Sequence, residues 1–228
     1  MAGKLSIVST PIGNLEDITL RALRVLREAD FVLCEDTRIT KRLFSKYDIS
    51  THVLSYNEHS PASRSQEILA LLEDGKSIAL VSDAGTPGIS DPGGALVSLV
   101  RGHFGDSVLI EAIPGPSALS AALSVAGVPT SSFVFHGFLP HKKGRDTIFR
   151  EIASSARSHV FYESTHRLVK TLQKLAEMLE PERKVVVVKE LTKIHERVIV
   201  GPAKVVLRQF LEHPDLVRGE FVVVIGER

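Results

Sequence analysis

The stretch IALVSDAGTPGISDP, residues 78–92, decides how this chain is interpreted. Its first four residues are apolar and predict a buried strand, after which comes a polar, glycine-rich loop. Asp91 and Pro92 are typical of the N-cap and the first residue of a helix. In open α/β sheets, ligands bind beside the loops that leave the carboxyl ends of strands. The stretch therefore predicts a ligand site that offers a carboxylate, hydroxyls and backbone amides.

Apolar runs of strand length alternate with helical patterns on both sides of this loop. In the first half we predict strands over residues 5–9, 31–34, 53–56, 78–81 and 108–112. Helices are predicted between them, with Asp17 as one N-cap and a capping box that begins at Ser63 as another. This alternation favours an α/β fold with a mostly parallel sheet and helices on both faces.

Two prolines and a glycine at residues 114–116 interrupt the alternation. We predict two α/β domains, residues 1–114 and 115–228. In the second domain, strands are predicted over 133–136, 159–162, 184–189, 195–200 and 220–225, and helices over 145–155, 165–179 and 203–212. Ser164 or Thr165 is expected to cap the helix over 165–179. A turn near Thr192 predicts a β-ribbon, so the second sheet is expected to be mixed.

Composition limits the classes of protein to consider. The chain has 28 Lys and Arg against 27 Asp and Glu, a balance that does not by itself identify a nucleic-acid binder. No run approaches the roughly 18 apolar residues of a membrane helix, and the start of the chain lacks a signal-peptide pattern. We therefore expect a cytoplasmic protein without membrane contact. Cys34 is the single cysteine and is expected to be buried, and no Cys/His spacing predicts a metal site.

Neither common nucleotide motif is present, because no GxGxxG follows the first strand and no GxxxxGK[ST] occurs. Polar clusters instead follow several apolar strands, at residues 162–167, 190–193 and 218–220. We expect them to share a cleft with the loop at 82–87. Asp83 is the main candidate for a polar anchor, suited to an ammonium group or vicinal hydroxyls, although a solvated loop aspartate is the alternative.

Seven short motifs resemble the tetrapyrrole methylase superfamily. They are PIGNL at 11–15, EDTR at 35–38, SDAGTP at 82–87, PGPSA at 114–118, GFLP at 137–140, YESTHR at 162–167 and ELTK at 190–193. Within that superfamily, EDTR, YESTHR and ELTK together are similar to the group that methylates ribosomal RNA of the small subunit. The resemblance runs from about residue 4 to residue 226, nearly the whole chain.

The resemblance implies a two-domain fold with S-adenosylmethionine in the cleft between the domains, and a homodimer. It implies 2′-O-methylation of a cytidine in the decoding region of 16S rRNA, on the assembled small ribosomal subunit. By position, the implied cofactor-binding residues are Pro11, Ser82, Asp83, Ala84, Gly85, Thr86, Ser117, Ala118, Tyr162, Leu191, Thr192 and Gly219.

A ribose hydroxyl is a weak acid, so a base or an electrostatic stabiliser of the developing alkoxide is expected. Lys193 and Glu190 are the candidates, because they lie on a polar turn beside the implied cofactor residues. The alternative is a surface salt bridge within the β-ribbon.

Basic residues form three clusters that are candidates for RNA contacts. These are Arg38, Lys41 and Arg42; Lys142, Lys143 and Arg145; and His166 with Arg167. Each cluster alone is also typical of a solvated helix face. Phe138 is able to stack on a base, but core packing is the expected role. A methyltransferase acting on a porphyrinogen carbon and a non-catalytic module that senses cofactor or RNA are the competing functions.

Overall fold

The computed structural model describes residues 3–57, 60–91 and 93–228. The chain divides into two compact units, Met1–Ser117 and Ala118–Arg228. A compact unit need not fold independently, so the domain boundary at residue 114 stays a prediction. In the described residues, no helix combines the length and apolar character needed to cross a bilayer.

The amino-terminal unit contains a five-stranded sheet in the order β3-β2-β4-β1-β5, and every neighbouring pair is parallel. The strands are β1 (Lys4–Val8), β2 (Phe31–Cys34), β3 (His52–Ser55), β4 (Ser77–Leu80) and β5 (Leu109–Ile113). The helices are α1 (Leu20–Glu28), α2 (Thr37–Lys46), α3 (Ala62–Glu73) and α4 (Gly93–Phe104), with a 3₁₀ helix at Leu15–Asp17. The predicted parallel α/β sheet is confirmed.

Both faces of this sheet are buried, which explains why its strands are continuous apolar runs. Val32 and Cys34 of β2 pack with α1 and α2 on one face, whereas Leu33 packs with α3 and α4 on the other. Cys34 has no exposed surface, as predicted for an inert thiol.

Two predicted helix caps are wrong. Helix α1 is capped by Thr19, whose hydroxyl accepts the Ala22 N–H at 3.0 Å, because the 3₁₀ turn that contains Asp17 delays the helix. Helix α3 has Pro61 at its N-cap, and Ser63 lies inside the first turn without a capping bond. Asp91 Oδ1 accepts the Gly93 N–H at 2.8 Å, and its place as the N-cap of α4 stays a prediction. Pro92 lies outside the described residues.

The carboxy-terminal unit contains a second five-stranded sheet, in the order β6-β7-β10-β8-β9. Its elements are α5 (Ala118–Val125), β6 (Phe133–Phe138), α6 (Arg145–Ser154), β7 (Ser158–Ser164), α7 (Leu168–Met178), β8 (Lys184–Lys189), β9 (Arg197–Pro202), α8 (Ala203–Glu212) and β10 (Glu220–Ile225). Only β6 and β7 are parallel, and the other neighbouring pairs are antiparallel. The predicted mixed sheet and the β8–β9 ribbon are confirmed.

The predicted cap of α7 is wrong. The helix begins at Leu168 after Arg167, which makes no capping side-chain bond. Thr165 is used differently, because its hydroxyl donates to the carbonyl of Gly219 at 2.7 Å. Four leucines at helical spacing in and after α7 are buried in the core of this unit; they are Leu168, Leu172, Leu175 and Leu179.

Candidate active site

The loops after β1 and β4 leave neighbouring strands toward opposite faces of the first sheet. The loop after β1 leads to α1, whose residues Ala22 and Leu26 pack on one face. The loop after β4 leads to α4, whose residues Leu96 and Val100 pack on the other. This divergence is a topological switch point, the place where open α/β sheets bind ligands.

A short backbone bridge joins these two loops. Thr10 and Gly85 exchange hydrogen bonds, with N···O distances of 2.8 and 3.1 Å. Gly85 has φ +81°, a left-handed conformation that glycine adopts without steric cost. Pro11 is buried directly after the bridge. The loop after β4 is therefore held in one conformation by the end of β1.

The hydroxyls of Ser82 and Thr86 form hydrogen bonds that hold the loop in place. The Ser82 Oγ lies 3.3 and 3.4 Å from the carbonyls of Ala84 and Gly85, to which it donates. The Thr86 Oγ1 donates to the carbonyl of Pro116 at 3.1 Å. Ala84 is exposed, Asp83 and Thr86 are half-buried, and Ser82 and Gly85 are buried.

Asp83 also stabilises the loop, because its Oδ1 accepts the backbone N–H of Asp36 at 3.0 Å. This bond ties the loop after β4 to the loop after β2. Glu35 lies beside it, and burial, then the charges of Asp83 and Asp91, raise its pKa despite a hydrogen bond from the Asp83 backbone. The predicted anchor is thus half-buried among other carboxylates.

In the second sheet, three polar turns lie at one edge. Since β10 runs antiparallel to β7 and β8, its first residues lie beside the last residues of both neighbours. Glu220 is opposite Ser164 on one side, and Phe221 is opposite Lys189 on the other. This register brings the turns at 162–167, 190–193 and 218–220 together within the carboxy-terminal unit.

Lys193 bridges two carboxylates at this edge. Its Nζ lies 3.0 Å from Oε1 of Glu190 and 2.8 Å from Oε2 of Glu220. Burial would lower the pKa of Lys193, but the hydrogen bonds to Glu220 and Glu190 outweigh it and the pKa is raised. Burial would raise the pKa of Glu190, but the Glu220 N–H and Lys193 outweigh it and the pKa is lowered. Both candidate catalytic residues therefore stay charged at neutral pH.

The turn that carries these residues is strained. Glu190 and Thr192 have φ values of +52° and +64°, which residues with a Cβ seldom adopt. The Thr192 N–H donates to the carboxylate of Glu196, and Leu191 between the two strained residues is buried. Strain of this kind often marks functional sites.

An aromatic cluster forms beside this edge. The ring of Tyr162 makes edge contacts with Phe135 and Phe138, with centroid distances of 5.1 and 5.4 Å. Its phenol oxygen forms a hydrogen bond with the backbone of Leu119, in the first turn of α5. Ser117 and Ala118 are half-buried. The expectation that Phe138 packs in the core is wrong, because it is 59% exposed; β6 is irregular between Phe135 and Phe138.

Two of the arginines predicted to contact RNA bind a buried carboxylate. Glu163 accepts a bond from Arg145 at 2.9 Å and another from Arg167 at 2.7 Å. Burial would raise the pKa of Glu163, but bonds from Thr171, Arg145 and the Ser164 backbone outweigh it and the pKa is lowered. This network ties α6 and the start of α7 to β7, and the burial of Glu163 could not be predicted from its place in a polar motif.

The other basic candidates are exposed; they are Arg38, Lys41, Arg42, Lys142, Lys143 and His166. The guanidinium of Arg38 is held by Asp36, with Nη2 2.6 Å from Oδ2. Hydrogen bonds from the side chain and backbone of Arg38 lower the pKa of Asp36 to about 2.

The structure also brings together His136, Glu151 and His159, whose possible ligand atoms lie within 4.8 Å of one another. Their spacing in the sequence did not predict this. His136 Nε2 lies 2.8 Å from His159 Nδ1. Burial, then the charges of His136, Arg183 and Arg157, lower the pKa of His159 to about 4. The same arginine charges disfavour a cation beside this ring.

A family model described as tetrapyrrole (corrin/porphyrin) methylases matches residues 4–206. The chain belongs to this family. A Thermotoga maritima protein named ribosomal RNA small subunit methyltransferase I is 45% identical over 224 residues, which cover 98% of both chains. An Escherichia coli O157:H7 protein of the same name is 42% identical, over 98% of this chain and 77% of its own.

Solved structures of tetrapyrrole methylases and related enzymes share the fold. Diphthine synthase gives a TM-score of 0.75 at 15% identity, over 99% of this chain and 90% of its own. Uroporphyrin-III C-methyltransferase from Thermus thermophilus, complexed with S-adenosyl homocysteine, gives 0.65 at 20% identity, over 99% and 98%. Identities this low show the fold alone. At the level of the family, the prediction of an S-adenosylmethionine-dependent methyltransferase is confirmed.

Proposed function

We propose that this tetrapyrrole methylase family member transfers a methyl group to the ribose 2′-oxygen of a cytidine in 16S rRNA, within the small ribosomal subunit. The observation that carries the proposal is the 45% identity, over 98% of both chains, with a protein named ribosomal RNA small subunit methyltransferase I. We further propose that the protein is a cytoplasmic homodimer.

The residues at the switch point have the chemistry that S-adenosylmethionine requires. The cofactor carries an ammonium group and vicinal hydroxyls, which carboxylates and backbone carbonyls bind. Asp83 supplies a half-buried carboxylate, and the exposed residue Ala84 lies next to it. Gly85 and Pro11 keep this wall free of bulky side chains. We assign cofactor binding in this unit to Pro11, Ser82, Asp83, Ala84, Gly85, Thr86 and Ser117.

In the second unit we assign cofactor contacts to Ala118, Tyr162, Leu191, Thr192 and Gly219. Tyr162 offers an aromatic face against which an adenine can pack. Gly219, at the start of β10, has φ +108° and no side chain, and the Glu190 side chain occupies the position that a Cβ would take. The aromatic face of Tyr162 is the feature that fits a flat heterocycle.

The bound cofactor supplies a methyl group that is already activated by its sulfonium, so the protein's task is positioning and charge stabilisation. We assign the second task to Lys193. Its ammonium is positive at neutral pH and can stabilise negative charge that develops on a ribose oxygen. Glu190 positions Lys193 through the 3.0 Å contact and is itself fixed by the backbone N–H of Glu220.

RNA binding is assigned to the exposed basic residues. Lys142 and Lys143 precede α6, and Lys41 and Arg42 lie on α2; none of them forms an ion pair in the described part of the chain. Arg38 and His166 complete the candidate set. Arg145 and Arg167 stay in the candidate set, but only about 16% of each side chain is exposed and able to contact RNA.

A methyl-transfer assay tests the proposal. Purified protein is incubated with tritium-labelled cofactor and either unmodified small subunits or a porphyrinogen. Label on 16S rRNA, followed by mass spectrometry that finds a 2′-O-methylcytidine, is the expected result. Label on the porphyrinogen carbon overturns the RNA substrate, and cofactor binding without transfer to either acceptor overturns the enzymatic function.

A further inference from the structure

A cavity of about 720 Å³ lies beside the loop after β4 in the amino-terminal unit. Glu35 follows β2, Tyr56 and Asn57 follow β3, and Ser90 and Asp91 end the loop that begins with Ser82. The remaining lining residues are Ser60, Ser65 and Ala95. Its volume falls in the range of about 300–1,000 Å³ that holds small ligands. The cavity is therefore a second site at the same sheet edge as the predicted cofactor loop.

The lining excludes phosphate as the ligand, because it contains two carboxylates and no Lys or Arg among the described residues. It favours a group that donates hydrogen bonds, because charged carboxylates are acceptors only. The Tyr56 side chain is largely buried, and its hydroxyl is hydrogen-bonded to Ser65, so it forms a fixed wall. A nucleobase with an exocyclic amine is flat, so it can lie against Tyr56, and its amine can donate to a carboxylate.

Glu35 is the group best placed to accept from such an amine. Its carboxylate is half-buried, and both Asp83 and Asp91 lie near enough to raise its pKa. Asp91 Oδ1 is occupied by the N–H groups of Gly88 and Gly93, at 2.6 and 2.8 Å. Asp83 Oδ1 accepts the Asp36 N–H. Glu35 accepts one hydrogen bond, from the Asp83 backbone, and its carboxylate has further acceptor positions for a ligand. A donor from a ligand would relieve the repulsion that Glu35 experiences.

We propose that this cavity receives the base of the acceptor nucleotide, and that Glu35 selects a base with an exocyclic amine by accepting its hydrogen bond. This inference rests on the proposed function. Carboxylates accept from the N4 amine of cytosine in other nucleic-acid complexes. Uracil places a carbonyl oxygen at that position, which the carboxylate repels. An enzyme that modifies a nucleotide displaces it from its stack into a pocket of this kind.

The test compares cytidine with uridine at the methylated position. Wild-type protein first identifies that position by mass spectrometry, and subunits are then prepared with uridine in its place. The variants are Glu35→Gln, whose amide accepts from an amine or donates to a carbonyl, and Glu28→Gln, an exposed control on α1. We expect Glu35→Gln to reduce the cytidine-to-uridine ratio of kcat/KM by about tenfold or more, the effect of one lost base contact. Glu28→Gln should leave the ratio unchanged.

Two further measurements keep the test decisive. Calorimetry with S-adenosylhomocysteine should give equal affinities for wild type and Glu35→Gln, and weakened binding would show that the cavity holds cofactor instead. Glu35→Asp retains the acceptor but moves it, so the rate should fall while the preference for cytidine persists. An unchanged ratio in Glu35→Gln overturns the inference. Absence of transfer by wild-type protein to either subunit overturns the proposed function itself, a result distinct from the unchanged ratio.

Discussion

A Cβ atom on Gly219 would lie 2.6 Å from Cδ of Glu190, closer than real Cβ contacts allow. Gly219 also has φ +108°, outside the range of other residues. Glu190 cannot easily move aside, because its Oε1 accepts from both Lys193 and the Glu220 backbone. Because Gly219 has no side chain, the Glu190 carboxylate can occupy this space and keep its hydrogen bonds.

Replacing Gly219 with alanine is expected to displace Glu190 and, with it, Lys193. We expect kcat to fall at least about tenfold and the free energy of unfolding to fall by about 1–3 kcal/mol, because of the steric contact and the left-handed backbone. Gly127→Ala is a matched control, since Gly127 has φ +61° but no atom within 4 Å of an added Cβ. Methyl transfer measures the activity, and urea denaturation measures the free energy of unfolding. Equal loss of activity in both variants would show that the Glu190 contact is irrelevant.

The assignment of Lys193 predicts that Lys193→Ala lowers kcat by about 10²–10³, the loss typical of removing one stabilising donor. Glu190→Gln should cause a smaller decrease, because it removes the charge that positions the ammonium. Affinity for S-adenosylhomocysteine should change little in either. Lys204→Ala, at an exposed position of α8, is the control. If both variants methylate small subunits at the parent rate, the β-ribbon salt bridge is only structural.

Those same contacts predict how the rate depends on pH. The pKa of Lys193 is raised and that of Glu190 is lowered, so the ion pair persists across the neutral range. We expect kcat to be flat from about pH 6 to about pH 9, well inside the ordinary pKa values of the two groups. A rate that rises with a midpoint near neutrality would indicate a different titrating base.

Lys142 and Lys143 are expected to contact RNA phosphates. The double variant Lys142→Glu/Lys143→Glu should weaken subunit binding and reduce the slope of log affinity against log salt by about 1–2, since each phosphate contact contributes nearly one. Arg145 is left intact, because a glutamate there would face the buried carboxylate of Glu163. Lys170→Glu/Lys204→Glu makes the same charge change on α7 and α8. Identical salt slopes for the two double variants would remove this loop from the RNA surface.

The strands of both sheets could be predicted from the sequence, because buried strands appear as apolar runs. The strand at 184–189 and the helix at 203–212 coincide with β8 and α8, where apolar runs and helical spacing are unambiguous. The polar turns at 190–193 and 218–220 were predicted to be a site, and the antiparallel register of β8 and β10 brings them together.

Other features depend on contacts between residues distant in the sequence. Arg145 and Glu163 are 18 positions apart, and only the packing of α6 on β7 shows that their charges neutralise each other. The cap at Thr19 depends on the 3₁₀ turn Leu15–Asp17, which takes Asp17 away from the start of α1. The cavity beside Glu35 combines three loops that are distant in the sequence, so its lining could not be predicted from any one of them.

The buried His159, in contact with the half-buried His136, predicts a loss of stability in mild acid. The folded pKa of His159 is about 4, below the ordinary value of 6.5, so the unfolded chain binds more protons between these values. Stability is therefore fully present above about pH 6.5 and decreases by about 2 kcal/mol on going to about pH 5. Urea denaturation of wild type, His159→Gln and His52→Gln checks this prediction. The first variant should have a smaller slope, with the remainder due to His136, whose pKa burial also lowers. The second, exposed on β3, should keep the wild-type slope. NMR titration of the His159 ring in the wild-type protein tests the same point without a substitution, and a midpoint near its ordinary value would contradict the buried, neutral pair.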